Sequence, residues 1–380
     1  MYIAMKKIQY IISALLVVAV AAMSLTSCGE DKLGPTIFPE VDETLDPSST
    51  TYQLDKFLQD EFLKKYNLTF LYKMPDISAN MNYNLVPARY NDALDLAVTC
   101  KYMWYDAYEK VAETEEFLKQ YGPRIILLIG SQAISSSTHE PVDGLTEGGV
   151  KITLYNVNSM DAANTQSMNE NFFHTMHREF ATMLRQNKTY PTEFNEVSVG
   201  HYVPSEWRER GDEISSEGFV SRYASSENSV DFAETIACYI VFTDEQWDQM
   251  LEYAACGWHK DKQKYCRYYK YPLNDMSQEP QYIPHTDAEE KKITVVRDAD
   301  GFIIQRYIYD QKTRIREIVY DVEDEDGIDG VAAIDQKVAI ARQWFHDAWN
   351  IDLDALREEV RARQAAYNIE ELRKWVTGIQ

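Results

Sequence analysis

Seven histidines are spread over 380 residues, and two of them, His174 and His177, stand three apart between Phe172 and Arg185. Apolar residues recur here at helical intervals. The spacing predicts one helix from about Met168 to Gln186, with both imidazoles toward one face. Glu179 follows on the same helix. Zinc hydrolases write their chemistry as H-E-x-x-H: two imidazoles at i and i+4 take the metal, and the Glu activates its bound water. In that register this chain reads Arg178-Glu179-Phe180-Ala181-Thr182. The Glu is in place and both ligand positions are replaced. A guanidinium has no lone pair for a metal, and Thr is a poor zinc ligand at neutral pH. From the residues alone, an amphipathic helix with two hydrogen-bonded histidines is the plainer reading. A shifted metal site is the other: His174 and His177 with Asp231 or Glu234, and Glu179 as base. Asp231 and Glu234 share a face of a helix predicted from about Val230 to Phe242.

The surface that carries these groups is strongly acidic. Lys plus Arg number 38 and Asp plus Glu 61, a net charge of −23. Phosphate backbones are repelled by such a surface, which excludes nucleic acid as a partner. Anionic membranes are repelled too, so membrane attachment requires an anchor. The N-terminus offers one. Lys6 and Lys7 precede an apolar run from Ile11 to Met23, interrupted by Ser13. That run is short of the roughly 20 residues that span a bilayer and reads as a signal-peptide core. Leu25-Thr26-Ser27-Cys28 then resembles a lipobox, predicting cleavage after residue 27 and lipid on Cys28. Gly29-Glu30-Asp31 resembles a surface-export signal. The expected location is therefore the outer membrane facing outward, with the periplasmic face as the alternative.

Four further cysteines, Cys100, Cys238, Cys256 and Cys266, form no C-x-x-C pair, which argues against a zinc ribbon or a thioredoxin-type site. Cys100 and Cys238 sit in apolar helical patterns and read as buried free thiols. Cys256 and Cys266 lie close enough in sequence to pair in an oxidising compartment.

Residues 28–50, with Pro35, Pro39 and Pro47, read as a tether. A main domain spans 51–258. It is expected to hold a long helical region from Asp92 to Tyr121 broken once, strands at 67–72, 125–129 and 151–156, and a Ser/Gly-rich loop over 131–149. Residues 259–329 are rich in Tyr, Lys and acids and read as an insertion with a β-hairpin turning at Asp298–Gly301. Helices close the chain over 330–380. These elements make an α+β fold.

From about residue 51 to 255 the chain resembles the substrate import-associated zinc metallohydrolase lipoproteins, zinc peptidases linked to TonB-dependent nutrient uptake. The resemblance rests on an ordered set of segments. They include Tyr83 to Pro87, Ile129-Gly130-Ser131, Glu147 to Tyr155, the His177 helix, Tyr190 to Phe194, Gly218 to Ala224, and Asp231-Phe232-Ala233-Glu234. It implies a zincin-like domain. The family pattern H-H-E-F-A-H falls on His177 to Thr182. Glu179 then matches the general base, and Arg178 and Thr182 stand where two zinc-ligand histidines belong. A third ligand is implied on a later helix, at Asp231 or Glu234. With both helix ligands replaced, the expectation is a catalytically degenerate binding protein with no zinc held in the family manner. Arg178 would stand in for the metal, as a cation against Asp231 or Glu234. The implied partners are an outer-membrane TonB-dependent receptor and its partner lipoprotein, with a peptide or glycan as ligand. An active zinc hydrolase with shifted ligands and a structural subunit of an import complex are the alternatives.

Overall fold

Alternation along Ile125 to Ile129 sorts side chains to two faces: Ile126 and Leu128 enter the main core, while Leu127 and Ile129 join a smaller apolar cluster with Ala133 and Tyr155. A strand apolar on both sides belongs inside a sheet, and that is where it lies. The computed structural model describes residues 45–74, 85–134, 141–142, 144–210, 212–255, 258–259, 264–266, 291–297, 303–310, 316–320, 323–324 and 327–378. Its main sheet has four strands, β1 (Thr69–Leu71), β2 (Ile125–Leu128), β6 (Lys151–Leu154) and β5 (Gly144–Glu147), in the order β1-β2-β6-β5. The first three run parallel, with Ile126 opposite both Phe70 and Ile152. β5 closes the edge antiparallel, from Gly144 opposite Leu154 to Glu147 opposite Lys151. Between β2 and β5, β3 (Ala133–Ile134) and β4 (Pro141–Val142) form a short ribbon.

β5 falls where composition predicts loop. Its strand form comes from tertiary pairing with β6, which overrides weak local propensity. Gly144 shows why the position is constrained. A Cβ there would stand 2.5 Å from Thr175 Cγ2 and 3.3 Å from Glu179 Cγ. Glycine therefore lets this edge strand lie directly against the helix that carries Glu179.

That helix is longer than its α portion. Thr165–Met168 runs through a π segment, Asn169–Phe173, into His174–Asn187. A similar insertion, Lys101–Tyr105, joins Tyr90–Cys100 to Asp106–Ala112. The predicted break in that region comes at Glu113, whose φ of 54° ends the helix before Glu116–Tyr121 begins. The Asn228–Val241 helix is buried along its whole length from Asp231 onward, as an internal helix must be. It packs against His174–Asn187 on one side and the C-terminal helices Gly330–Trp349 and Leu353–Ala365 on another. Its last carbonyls are held from there: Arg357 donates to the Tyr239 carbonyl, and Arg361 Nη2 donates to that of Phe242 at 2.7 Å. Cations at a helix C-terminus satisfy both its open acceptors and its dipole. The third C-terminal helix, Ile369–Thr377, is tied back by Arg373, which clasps Asp95 through two bonds of 2.6 Å.

Within 259–329, Lys291–Arg297 pairs antiparallel with Ile303–Asp310, which pairs in turn with Arg316–Tyr320. The expected turn at Asp298–Gly301, Cys256 and the Cys266 side chain lie outside the described residues. So do the signal segment, Cys28 and most of the tether. Among the described residues no helix is long and apolar enough to cross a membrane. The whole is a mixed α+β fold.

Candidate functional site

Two buried helices and one strand edge meet at Glu179 and Glu234. Glu179 leaves the His174–Asn187 helix toward β5, where Thr146 Oγ1 donates to its Oε2 at 2.5 Å. Its other oxygen accepts from Arg178, at 3.1 Å from Nε and 2.9 Å from Nη2. Arg178 turns back over its own neighbour. Its Nη1 stands 3.7 Å from Glu234 Oε1, and the Tyr223 ring faces the guanidinium at 5.4 Å. Burial opposes the charge on Arg178, but the Glu179 and Glu234 carboxylates outweigh it and raise its pKa above the ordinary value. The guanidinium is a permanent cation between two acids.

Glu234 is 1% exposed. Burial alone would raise its pKa. His174, Arg178 and the Ser221 hydroxyl instead hold it at about 2. Ser221 Oγ donates to Oε2 at 2.5 Å, and His174 Nε2 stands 3.4 Å from the same oxygen. One turn along, Cys238 Sγ lies 3.6 Å from His174 Nε2. Both Cys238 and Cys100 are buried free thiols, and Cys100 Sγ meets Met176 Sδ at 3.2 Å instead. Ser221 also reaches a cleft of about 380 Å³, lined by Ser215, Phe242, Gln246, Gln249 and Tyr253 among others.

The i, i+3 pairs do not stay together. His174 faces Glu234, but His177 is fully buried against Tyr108. The rings stack with centroids 5.7 Å apart, and Nδ1 meets the tyrosine hydroxyl at 3.3 Å. Its Nε2 has no hydrogen-bond partner among the described residues. Asp231 likewise turns from Glu234 to a fully buried Lys337, whose Nζ lies 2.6 Å from its Oδ2; Tyr202 donates to that oxygen at 2.8 Å. A three-residue step turns a helix about 300°, so partners at i and i+3 stand about 60° apart. Here that offset sends each pair to different neighbours. Arg178 therefore meets Glu234 and not Asp231. Thr182 is half-buried one turn beyond Arg178.

Burial, helped by the nearby His174, pushes His177 down from 6.5 to about 3. The unfolded chain takes up this proton near pH 6.5, while the folded chain resists it until about pH 3. Stability tied to neutral His177 is therefore fully present above pH 6.5 and lost as pH falls. Between about pH 7 and about pH 5 the loss should be about 2 kcal/mol. Urea unfolding of wild type and His177→Phe across that window checks it. The variant's profile should be flatter, and parallel profiles would refute the assignment.

A family model described as "Putative zinc-binding metallo-peptidase" matches residues 47–354. This chain belongs to that family. The match continues through 259–329 into the C-terminal helices, well past the 51–255 span of the sequence resemblance. A crystal structure of a putative zinc-binding metallo-peptidase from Bacteroides caccae aligns over 86% of this chain and 98% of its own, with 27% identity and a TM-score of 0.57. No curated protein matches. The family name implies zinc, and the positions expected to hold it do not fit: Arg178 offers no lone pair and is engaged by both carboxylates that would face a metal there. Sequence reasoning missed Thr146, Ser221, Tyr223 and Lys337. The Cys238 contact had an available signal, since Glu234 and Cys238 stand at i, i+4.

Proposed function

We propose that this family member binds rather than cuts. It is a lipoprotein anchored through Cys28 to the outer membrane, facing outward, and it serves a TonB-dependent importer and its partner lipoprotein. The observation that carries the loss of catalysis is the Arg178 guanidinium, bonded to Glu179 and 3.7 Å from Glu234. A general base must reach a metal-bound water. Glu179 has both carboxylate oxygens taken, by Arg178 and by Thr146. The Ser221 cleft, with its amide, hydroxyl and aromatic lining, suits a peptide or glycan segment. An active hydrolase with shifted ligands draws on the His174–Glu234 contact, but it requires Glu179 to leave both partners.

The test uses the full chain carrying Cys28→Ser, supplied with zinc, against peptide libraries. No chelator-sensitive cleavage is expected, and Glu179→Gln should change nothing. Cleavage abolished by both chelator and Glu179→Gln would establish the hydrolase instead.

The anchor is tested separately in cells. Wild type should incorporate labelled lipid and fractionate with the outer membrane, whereas Cys28→Ala should do neither. Membrane retention of Cys28→Ala without label on wild type would remove the anchor from the proposal.

A further inference from the structure

His174, Glu234 and Cys238 bring an imidazole, a carboxylate and a thiol to one point, with the three ligand atoms within 4.8 Å of one another. A tetrahedral zinc ion with bonds of about 2.0–2.3 Å sets its ligand atoms roughly 3.5 Å apart. Here His174 Nε2 lies 3.4 Å from Glu234 Oε2 and 3.6 Å from Cys238 Sγ. Two edges of that tetrahedron are thus formed already.

A second observation concerns the other oxygen of the same carboxylate, which is left open as an acceptor. Glu234 Oε1 is buried with no hydrogen-bond partner among the described residues, Arg178 Nη1 standing beyond reach at 3.7 Å. Buried carboxylate oxygens are ordinarily satisfied. Coordination by Cys238 would displace its thiol proton to solvent, leaving a thiolate on the ion. Glu234 and Cys238 at i, i+4 share a helix face, and His174 is 18% exposed, which gives an ion a way in.

We propose that His174 Nε2, Glu234 and Cys238 Sγ bind a borderline-soft divalent cation, zinc foremost, one helical turn away from Arg178. The ion cross-links the two site helices and leaves Glu179 with Arg178 and Thr146. It is a structural tie, with no part in hydrolysis. His174 would carry its proton on Nδ1, and the Ser221 hydroxyl, donating to Oε2, orients the carboxylate in the manner of outer-shell partners.

Cobalt reads the sulfur directly. The reduced full chain carrying Cys28→Ser, titrated with Co²⁺, should develop a thiolate-to-cobalt charge-transfer band in the near ultraviolet, with intense visible bands of tetrahedral coordination. Zinc should bleach them. Cys238→Ser should abolish the charge-transfer band, and Cys100→Ser should leave it intact. His174→Ala and Glu234→Gln should each weaken cobalt binding by more than about tenfold, and they carry the test if Cys238→Ser does not fold. A wild type without the band, or a band that survives Cys238→Ser, overturns the proposal. The peptidase assay above reads the loss of catalysis and has no bearing on this band, so the two fail independently.

Discussion

Restoring both imidazoles, Arg178→His with Thr182→His, should build a zinc site of the family pattern beside Glu179. The experiment belongs in a Cys238→Ser background, where the sulfur ligand proposed above is gone. Two nitrogens then return to one helix face at i, i+4, and removal of the guanidinium leaves Glu234 without the cation now 3.7 Å from it. Glu234 is the third ligand the geometry supplies, since Asp231 is bonded to Lys337 and Tyr202. Zinc affinity should rise by at least about a hundredfold over the background, about 2.7 kcal/mol. Glu234→Gln added to the double variant should return most of that gain. Competition against a chromophoric chelator measures each step. A folded double variant with unchanged affinity would mean that the backbone around residues 178–182 no longer holds a zinc geometry, and the degenerate-site reading would need another cause.

Lys337→Met should be the most damaging single change among those considered. Lys337 and Asp231 are each 0% exposed, and the lysine also donates to the Gly218 carbonyl at 2.7 Å and lies 4.3 Å from the Phe219 ring centre. Burial raises the Asp231 carboxyl and lowers the Lys337 ammonium, and their contact works against both shifts. Removing one partner strands a buried carboxylate, with an expected loss of about 3–5 kcal/mol. Adding Asp231→Asn removes the stranded charge, so the double variant should be more stable than Lys337→Met alone. Urea unfolding of the two singles and the double gives the coupling. A loss below about 1 kcal/mol for Lys337→Met would show that the pair holds nothing together.

Much of this frame is legible in the residues. Period-3.6 patterns place the His174 helix, the Asn228 helix and the closing helices. A continuous apolar run marks β2, and alternation marks β6. What is not legible is whatever long-range pairing decides. β5 reads as loop because Gly144-Leu145-Thr146-Glu147 has no strong strand preference, and only its place against β6 and Thr175 makes it a strand. Site membership follows the same rule. Arg178 and Glu179 are evident in the motif register, whereas the later helix offers Asp231 and Glu234 without choosing between them. His177 and Asp231 satisfy the same spacing, and neither joins Glu234, because Tyr108 and Lys337 claim them from distant segments. No local pattern announces either partner.

The hold that Lys337, Arg357 and Arg361 exert on the Asn228–Val241 helix also sets an order of events. Synthesis delivers Asp231, Glu234 and the open carbonyls of Tyr239 and Phe242 long before the segments that satisfy them. Until those last helices emerge, the nascent chain carries an acid without its counter-ion and a helix end without its caps. Packing of the helix that carries Glu234 and Cys238 is thus expected to finish late, and the interval before it exposes the chain to misassembly. A stop codon or protease cut ahead of residue 330 would remove more than a tail: it would leave the acidic helix unfinished although every site residue from Thr146 to Cys238 was already made.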